Sequence, residues 1–459
     1  RWRKVVHDGV IPGTASAPAA AAWMSKAGDW GPSVLPIPEE RAAHVLDVVF
    51  RPDSSLYDGR FANNAWLQEV PKAMTRLTWD NPILIAPSTA DRLGLDVGAM
   101  VEVTLDGRKL EMPVWIQPGQ AVDTLTLYLG FGRSKAGNVG NDVGFDTYKL
   151  RTSSNPWSAG GASLVKLGRH YTLACTQDHH SMEGRDLARV GTLDEFEADP
   201  HFAHSHDERK NSLYPGFKYE GYAWGMSVDV GSCIGCNACI VACQAENNIP
   251  TVGKDQVSRG REMQWIRIDR YFEGDNLDAP RTVMQPVLCQ HCEQAPCEGV
   301  CPVNATVHDS EGINAMVYNR CVGTRYCANN CPYKVRRFNF TLYNDPHSPV
   351  LEMQFNPDVT VRSRGVMEKC TYCIQRINYS RIQAKREDRK VSDGEIKTAC
   401  MQVCPADAIT FGNINDPDAK VTKLKRDPRN YTLLNEMGTL PRTTYLAGVR
   451  NPNPALARG

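Results

Sequence analysis

The chain of 459 residues is long enough for two to four domains. Its 52 basic and 52 acidic residues balance, so no overall field favours nucleic acid as a partner. The sequence has no run of about eighteen apolar residues, the length that would span a membrane. Because the chain starts at Arg1 without Met or a signal-like segment, we expect it to be the rear of a longer or processed polypeptide.

In chain order, residues 1–44 are rich in Ala, Pro and Gly and predict an extended connecting segment. Residues 45–165 predict a β-rich domain. Its predicted strands are 45–50, 81–87, 100–105, 110–115 and 124–129, with a short helix over 88–94. Asp106-Gly107 predicts the turn of a hairpin between the third and fourth strands. The glycine-rich stretch 129–144 lacks the strand–GxGxxG–helix context of a phosphate loop, so we expect a tight barrel crossover there.

Residues 166–225 form a polar, histidine-rich segment. Its histidines are His170, His179, His180, His201, His204 and His206. Their spacing fits no clear set of metal ligands, so the pattern favours a solvated linker or a partner-docking segment. Residues 226–459, which we name the cysteine-rich domain, include a predicted helix over 371–390 with a strongly basic exposed side.

Fifteen of the 16 cysteines fall into four tight groups within the cysteine-rich domain. The groups are Cys233-Ile-Gly-Cys236-Asn-Ala-Cys239-x-x-x-Cys243, Cys289-Gln-His-Cys292-x4-Cys297-x-x-x-Cys301-Pro302, Cys321-Val-Gly-Thr324-Arg-Tyr-Cys327-x-x-x-Cys331-Pro332, and Cys370-Thr-Tyr-Cys373 with Cys400-x-x-x-Cys404-Pro405. This spacing is typical of ferredoxins, in which thiolates converge on an iron–sulfur cube. Structural zinc favours isolated Cys-x-x-Cys pairs, and disulfide frameworks belong to small secreted scaffolds, so both fit less well.

In two-cluster ferredoxins the fourth cysteine of a group binds the other cluster of the pair. This crossing rule gives three sets of four thiolates and one set of three. The Cys236 set is Cys233, Cys236, Cys239 and Cys404; the Cys373 set is Cys243, Cys370, Cys373 and Cys400; the Cys297 set is Cys289, Cys292, Cys297 and Cys331. The Thr324 set is Cys301, Cys321 and Cys327, with Thr324 where the pattern expects a cysteine.

The Thr324 set predicts one 3Fe–4S cluster beside three 4Fe–4S clusters, because a hydroxyl is a poor soft-metal ligand compared with a thiolate. A 4Fe–4S cluster with water or Thr324 on its fourth iron is the alternative. Basic residues near the groups would raise reduction potentials where they lie close to a cluster, and otherwise form a solvated face. These residues are Lys334, Arg336, Arg337, Lys369 and Arg376.

Cys175 stands apart from the groups and predicts a buried, inert thiol. The sequence contains no Cys-x-x-Cys-His motif, so we expect no covalent haem in this chain. The pattern offers no acid–base or nucleophilic site, and we interpret the chain as an electron wire.

The four-group layout resembles the electron-transfer subunits of the complex iron–sulfur molybdoenzyme superfamily. Residues 79–132 resemble the C-terminal pterin-dinucleotide-binding domain of the catalytic subunits. The two on one chain, joined by Thr-Gln-Asp-His-His-Ser-Met-Glu-Gly-Arg185, resemble the large iron–sulfur subunit of alternative complex III, as does the stretch 321–339. The implied fold is α+β and multidomain, with a double-psi β-barrel-like domain followed by paired ferredoxin-like modules.

This resemblance implies a quinol:electron-acceptor oxidoreductase of bacterial respiration or photosynthesis. The subunit would lie peripherally on the periplasmic side of the cytoplasmic membrane. Its expected partners are an integral membrane quinol-oxidising subunit, c-type cytochrome subunits and other subunits of the complex. The barrel domain would hold no molybdopterin, and the 3Fe–4S cluster beside Thr324 would receive the electrons from quinol.

Two other interpretations stay open. One is the electron-transfer part of a fused molybdopterin oxidoreductase of polysulfide- or formate-type, which predicts molybdenum in the full-length protein. The other is an interaction scaffold in which some clusters only stabilise the fold, which predicts clusters that quinol analogues do not reduce.

Overall fold

The computed structural model describes residues 45–204, 216–345 and 348–453. These residues belong to one compact unit. The predicted connecting segment 1–44 and His206 lie outside the described residues.

The strands before residue 205 are β1 (Leu46–Pro52), β2 (Leu77–Thr78), β3 (Ile83–Ile85), β4 (Ala99–Leu105), β5 (Arg108–Ile116), β6 (Thr124–Leu129), β7 (Ser158–His170), β8 (Ala174–Cys175) and β9 (Val190–Thr192). The helices of this part are α1 (Ala65–Glu69), α2 (Pro87–Leu93) and α3 (Leu193–Ala198), with a 3-10 turn over Thr147–Lys149.

The strands after residue 215 are β10 (Trp224–Asp229), β11 (Arg267–Glu273), β12 (Arg281–Val287), β13 (Thr306–His308), β14 (Asn314–Met316), β15 (Arg337–Phe338), β16 (Met367–Glu368), β17 (Ile409–Asn413), β18 (Asn430–Tyr431), β19 (Thr443–Leu446) and β20 (Gly448–Arg450). The helices are α4 (Ala238–Glu246), α5 (Lys254–Ser258), α6 (Pro296–Gly299), α7 (Tyr326–Asn330), α8 (Pro349–Glu352), α9 (Ile374–Arg386), α10 (Ala399–Val403) and α11 (Lys420–Lys425). Two 3-10 turns cover Tyr318–Arg320 and Asn435–Met437.

Six strands close into a barrel in the order β1-β6-β3-β5-β4-β7. β1 runs parallel to β6 and β3 runs parallel to β5, while the other neighbouring pairs are antiparallel. Alternate residues of β4, such as Val101, Val103 and Leu105, are buried, because the closed sheet turns one face of each strand inwards. The barrel confirms the predicted β-rich domain, and its double-psi topology stays a prediction.

Two local predictions within the barrel are confirmed. Helix α2 begins at Pro87, and Gly94 caps its end with a left-handed φ of 62°, the usual arrangement for these two residues. The hairpin of β4 and β5 turns at Asp106 and Gly107, with φ values of 47° and 74°. Both are left-handed, as a two-residue hairpin turn of type I′ requires.

The glycine-rich stretch after β6 is fixed to the barrel by the buried side chain of Asn81. Its amide donates to the carbonyls of Tyr128 and Phe145 at 2.9 Å, and its oxygen accepts from the Phe145 N–H at 2.8 Å. Gly144 has a φ of 71° and packs directly on Asn81 and Phe131. A side chain at Gly144 would therefore collide with its neighbours as well as strain the backbone.

The described part of the histidine-rich segment contributes strands that pair with the β-rich domain and with the cysteine-rich domain. β7 continues past the predicted boundary at residue 165 to His170. β8 then pairs with β2, and β9 pairs in parallel with β20, where Val190 lies beside Gly448. The segment is therefore part of the sheet structure at three places.

The cysteine-rich domain contains a four-stranded sheet in the order β17-β10-β19-β18. Trp224, Phe411 and Tyr445 from three of these strands are buried. They belong to one hydrophobic core that also includes seven of the cysteines. Helix α9 confirms the predicted helix over 371–390, with Tyr379 among its exposed residues.

Candidate iron–sulfur centres

The four cysteine loops share one backbone feature. The residue before each second ligand position has a left-handed φ, namely 66° at Gly235, 46° at His291, 73° at Gly323 and 55° at Tyr372. Such turns aim successive N–H groups at one point, which suits an anionic group. Glycine adopts this φ without strain, and the other two residues stack their rings with centroids 3.8 Å apart, which helps to hold the strained turns.

Three of the predicted ligand sets each line a cavity. The Cys373 set lines one cavity and the Cys297 set lines a second. The Thr324 set lines a third cavity together with Thr324 itself and the apolar side chains of Val303 and Met316. In each case, cysteines distant in sequence face one common cavity.

The thiols of the Cys236 set are neighbours as well. Burial has the largest effect on the pKa of the Cys239 thiol and raises it. The charge of Cys400 has the next largest effect, and the charges of Cys233, Cys236 and Cys404 raise the pKa further. Cys233 and Cys236 lie on the loop before α4, whereas Cys404 directly follows α10. The structure therefore brings Cys404, which the crossing rule assigns to this set, close to the loop that contains Cys233 and Cys236.

Burial raises the pKa of the inner thiols, to about 12 for Cys373 and about 11 for Cys297. Such thiols become thiolates only beside a strong positive charge, which an iron centre would supply. The Ala399 N–H donates to the Cys373 sulfur at 3.4 Å, a contact that favours the thiolate form. The donor set and its surroundings therefore fit iron–sulfur clusters.

Charge effects between thiols, together with the contacts of Arg336, indicate the order of the sets along a row. Cys400 of the Cys373 set exerts the largest charge effect on the pKa of Cys239 in the Cys236 set. Cys370 of the Cys373 set is similarly influenced by Cys289 of the Cys297 set. Arg336 contacts Cys297 of the Cys297 set and, with its other terminal nitrogen, Thr306 and Met316 beside the Thr324 set. The order is therefore the Cys236, Cys373, Cys297 and Thr324 sets.

The outer two sets of this row reach the surface, and the inner two do not. Cys236 and Thr324 are exposed. Ile234 and Val322, which occupy the same place in their loops, are 65% and 64% exposed. All eight thiols of the inner sets are buried. The row has two ends open to the surface and a middle shielded from water.

The five basic residues near the groups have different surroundings. Arg336 is buried and donates to the Cys297 sulfur at 3.2 Å. Lys369 is fully buried and donates to the Cys370 carbonyl at 2.7 Å. The other three bind oxygen atoms nearby: Arg337 pairs with Glu262, Arg376 pairs with Glu246, and Lys334 donates to the Asn329 carbonyl.

Two asparagines beside the thiols are not indicated by the cysteine pattern. The Asn247 amide lies 3.6 Å from the Cys243 sulfur, and the Asn314 amide lies 3.8 Å from the Cys297 sulfur. Asn247 follows Cys243 by about one helical turn, which is a signal that could have indicated it. Asn314 comes from a separate strand, and no local spacing links it to Cys297.

Cys175 lies outside the row. It is half-buried, its sulfur is 3.2 Å from the Gln177 carbonyl, and burial raises its pKa to about 11. This environment keeps the thiol neutral and unreactive. All 16 cysteines lie in the described ranges, and none of them forms a disulfide there.

Among the described residues, no three His, Cys, Asp or Glu side chains surround a site for a single metal ion. The described histidines of the polar segment thus form no such group with these residue types. No helix in residues 45–204, 216–345 and 348–453 is both long enough and apolar enough to cross a membrane.

Comparisons with known proteins identify iron–sulfur domains in this chain. Two models of a 4Fe–4S dicluster domain match residues 232–305 and 281–344. The chain is 39% identical over 236 residues to the menaquinone reductase iron–sulfur cluster-binding subunit of Nitratidesulfovibrio vulgaris, an alignment that covers 50% of this chain and 91% of the relative. It thus contains ferredoxin-like 4Fe–4S domains, as predicted.

Further relatives have related names. The chain is 35% identical over 240 residues to the Hdr-like menaquinol oxidoreductase iron–sulfur subunit 1 of Archaeoglobus fulgidus, covering 48% of this chain and 82% of the relative. It is 31% identical over 219 residues to the B subunit of the polysulfide reductase of Wolinella succinogenes, an alignment that covers 48% of this chain and 91% of the relative. The protein belongs to the family of iron–sulfur subunits of the complex iron–sulfur molybdoenzymes.

Among solved structures, acetylene hydratase from Pelobacter acetylenicus aligns with 25% of this chain at 12% identity, covering 18% of that structure's chain. The TM-score of 0.20 is too low to define a shared fold.

Proposed function

We propose that the chain is the large iron–sulfur subunit of an alternative complex III, a quinol:electron-acceptor oxidoreductase. The main support is the row of four thiol sets with a buried middle and two exposed ends. When bound, iron–sulfur clusters accept and release single electrons. A row of this kind suits transport between two partners, because the buried inner sets exclude water and each outer set faces a docking surface.

The four sets would bind the clusters given by the crossing rule. The Cys236, Cys373 and Cys297 sets would each hold a 4Fe–4S cluster, and the Thr324 set would hold a 3Fe–4S cluster. The shared cavities support this pairing for three of the sets. The exposed position of Thr324 supports the proposal that electrons from quinol enter at this end.

The partners follow from the same proposal. An integral membrane subunit would oxidise the quinol, and c-type cytochrome subunits would receive the electrons at the periplasmic side of the cytoplasmic membrane. The closed six-stranded barrel would have the double-psi topology and hold no molybdopterin. It would serve as a rigid support for the cysteine-rich domain.

A second candidate is the electron-transfer part of a fused molybdopterin oxidoreductase. Two observations favour it: the barrel lies in the same compact unit as the thiol sets, and the B subunit of a polysulfide reductase is among the relatives. In that case a pterin-binding part would precede this chain, and the full-length protein would contain molybdenum.

The decisive experiment is low-temperature EPR on the purified complex, as oxidised and after stepwise reduction, with iron and molybdenum counted in the same sample. A 3Fe–4S signal in the oxidised state, about fifteen cluster irons per chain after subtraction of haem, and no molybdenum are expected. Stoichiometric molybdenum would favour the second candidate. Clusters that quinol analogues fail to reduce would instead indicate a purely structural role.

A further inference from the structure

Arg336 lies between the cavities of the Cys297 set and the Thr324 set. One terminal nitrogen of its guanidinium is 3.2 Å from the Cys297 sulfur and 3.0 Å from the Asn314 side-chain oxygen. The other is 3.1 Å from the Thr306 hydroxyl and 3.7 Å from the Met316 sulfur. Asn314 lines the Cys297 cavity, whereas Thr306 and Met316 line the cavity beside Thr324. The two ends of the guanidinium therefore face different cavities.

The same guanidinium reaches the lining of both cavities. In addition to its contact with Cys297, it reaches Thr306 and Met316, which line the cavity of the Thr324 set together with Cys327. Only arginine has a flat, rigid fork of donors that can contact two groups on opposite sides at once. The position of Arg336 is therefore suited to two clusters rather than to one.

The charge of Arg336 is not neutralised by a carboxylate. In the described part of the chain it forms no ion pair, whereas the next residue, Arg337, pairs with Glu262 at 2.7 Å. Arg336 is also buried, with 7% of its surface exposed. A buried cation acts strongly on nearby charges, because water does not screen it.

We propose that Arg336 is a positioning residue that provides one shared positive charge for two clusters and raises the reduction potential of both. The inference rests on the proposed occupancy of the Cys297 and Thr324 sets. Reduction adds one electron to a cluster without forming or breaking a bond, so each reduced state is stabilised by the same cation. Reduction of one cluster partly compensates this charge and makes reduction of the other less favourable.

The test compares Arg336→Gln, Arg336→Lys and the matched control Arg337→Gln in the complete complex. Iron is counted first, and the midpoint potentials of both clusters are then measured by EPR-monitored redox titration. For Arg336→Gln, the ratio of reduced to oxidised form should fall at least about tenfold for each cluster at a fixed potential. This fall corresponds to a midpoint potential lower by about 59 mV, because each cluster takes up one electron. Arg337→Gln should leave both midpoints nearly unchanged, since its charge is already paired.

Arg336→Lys retains the charge but has no rigid fork to reach both cavities, so the two midpoints should shift by unequal amounts. If Arg336→Gln loses iron, Arg336→Met, which also removes the charge, is titrated instead, and unchanged midpoints in it contradict the proposal. A shift confined to one cluster in Arg336→Gln would also contradict a shared charge. If the wild-type complex lacks these two clusters, the proposed function fails, a result distinct from the failure of the Arg336 inference.

Discussion

The barrel and the cysteine-rich domain bury different kinds of side chain. The barrel core consists of apolar side chains from the six barrel strands, together with α2, Leu95 and Leu150, and contains no cysteine among the described residues. The core of the cysteine-rich domain includes seven cysteines, among them Cys289, Cys370 and Cys400. The first core is built from apolar side chains, whereas the second surrounds cavities lined by thiols.

This difference indicates that the two regions depend on different sources of stability. Burial of apolar surface stabilises the barrel. In the cysteine-rich domain, short helices and two-stranded sheets surround the thiol sets, and a bound metal group would link segments distant in sequence. Variants that affect one core should therefore leave the other intact, and the following predictions test this separation.

The largest effect is expected for Cys370→Ala. This residue is buried in the Cys373 set and in the core of its domain. Loss of its thiolate should cause loss of iron, and structural metal sites supply on the order of 10 kcal/mol of folding free energy. Limited proteolysis with mass spectrometry should show cleavage of the cysteine-rich domain and protection of residues 45–170. Cys175→Ala is the control and should retain full iron content.

A smaller effect is expected for Leu127→Ala in the barrel. Leu127 is fully buried in the barrel core, and the cavity should cost about 2–5 kcal/mol. The barrel should unfold at a lower denaturant concentration, while iron content and the EPR spectrum stay as in the wild type. Loss of iron from this variant would show that the two cores are not independent.

A contact between the β-rich domain and the cysteine-rich domain predicts how the free energy of unfolding depends on pH. Glu69, at the end of α1, accepts hydrogen bonds from the Val252 and Gly253 N–H groups at 2.8 and 2.7 Å, and burial raises its pKa to about 7. Because the folded pKa lies above its usual value of 4.5, this group's contribution is largest below pH 4.5 and is lost as the pH rises through 7. The loss is at most about 3 kcal/mol.

Glu69→Gln should remove this part of the pH dependence. Anaerobic denaturant midpoints measured between about pH 4 and pH 8 should differ less across this range in the variant than in the wild type. Glu102→Gln, which removes a surface partner of Lys109 on the barrel, is the control and should follow the wild type. Equal slopes for Glu69→Gln and the wild type would show that folding does not shift the pKa of Glu69.

The parts that could be predicted from the sequence are those set by local patterns. The hairpin at Asp106-Gly107 and the cap at Gly94 need particular backbone angles, which few residues adopt. The ferredoxin spacing likewise identifies the iron–sulfur domains. The pairing of β9 with β20 depends instead on tertiary packing between segments far apart in the chain, and no local pattern predicts it.

The surroundings of the thiols show the same limit. Arg336 is 39 residues from Cys297 in sequence, and no feature of its local sequence separates it from the neighbouring Arg337. The two side chains differ only in what the fold places around them, the Cys297 thiol for one and a carboxylate for the other. The stacked rings of His291 and Tyr372 were missed for the same reason.

The smallest effect on stability, and the most specific, is expected for Thr324→Cys. Thr324 lies between Gly323 and Arg325, with φ values of 73° and 63°, and Cys236 lies between Gly235 and Asn237, with values of 66° and 64°. The two loops thus present the same backbone, so a cysteine at 324 should direct its thiol as Cys236 does. Because the position is exposed, stability should change by no more than about 0.5 kcal/mol.

The cluster itself should change in this variant. A fourth thiolate should convert the 3Fe–4S cluster to 4Fe–4S, remove the EPR signal of the oxidised state and lower the potential, because the added ligand brings negative charge. Thr324→Ala, which supplies no ligand, should keep the 3Fe–4S signal. If the redox titration of Thr324→Cys matches the wild type, the missing thiolate does not set the potential at this end of the row, and the proposal that quinol electrons enter there loses its chemical basis.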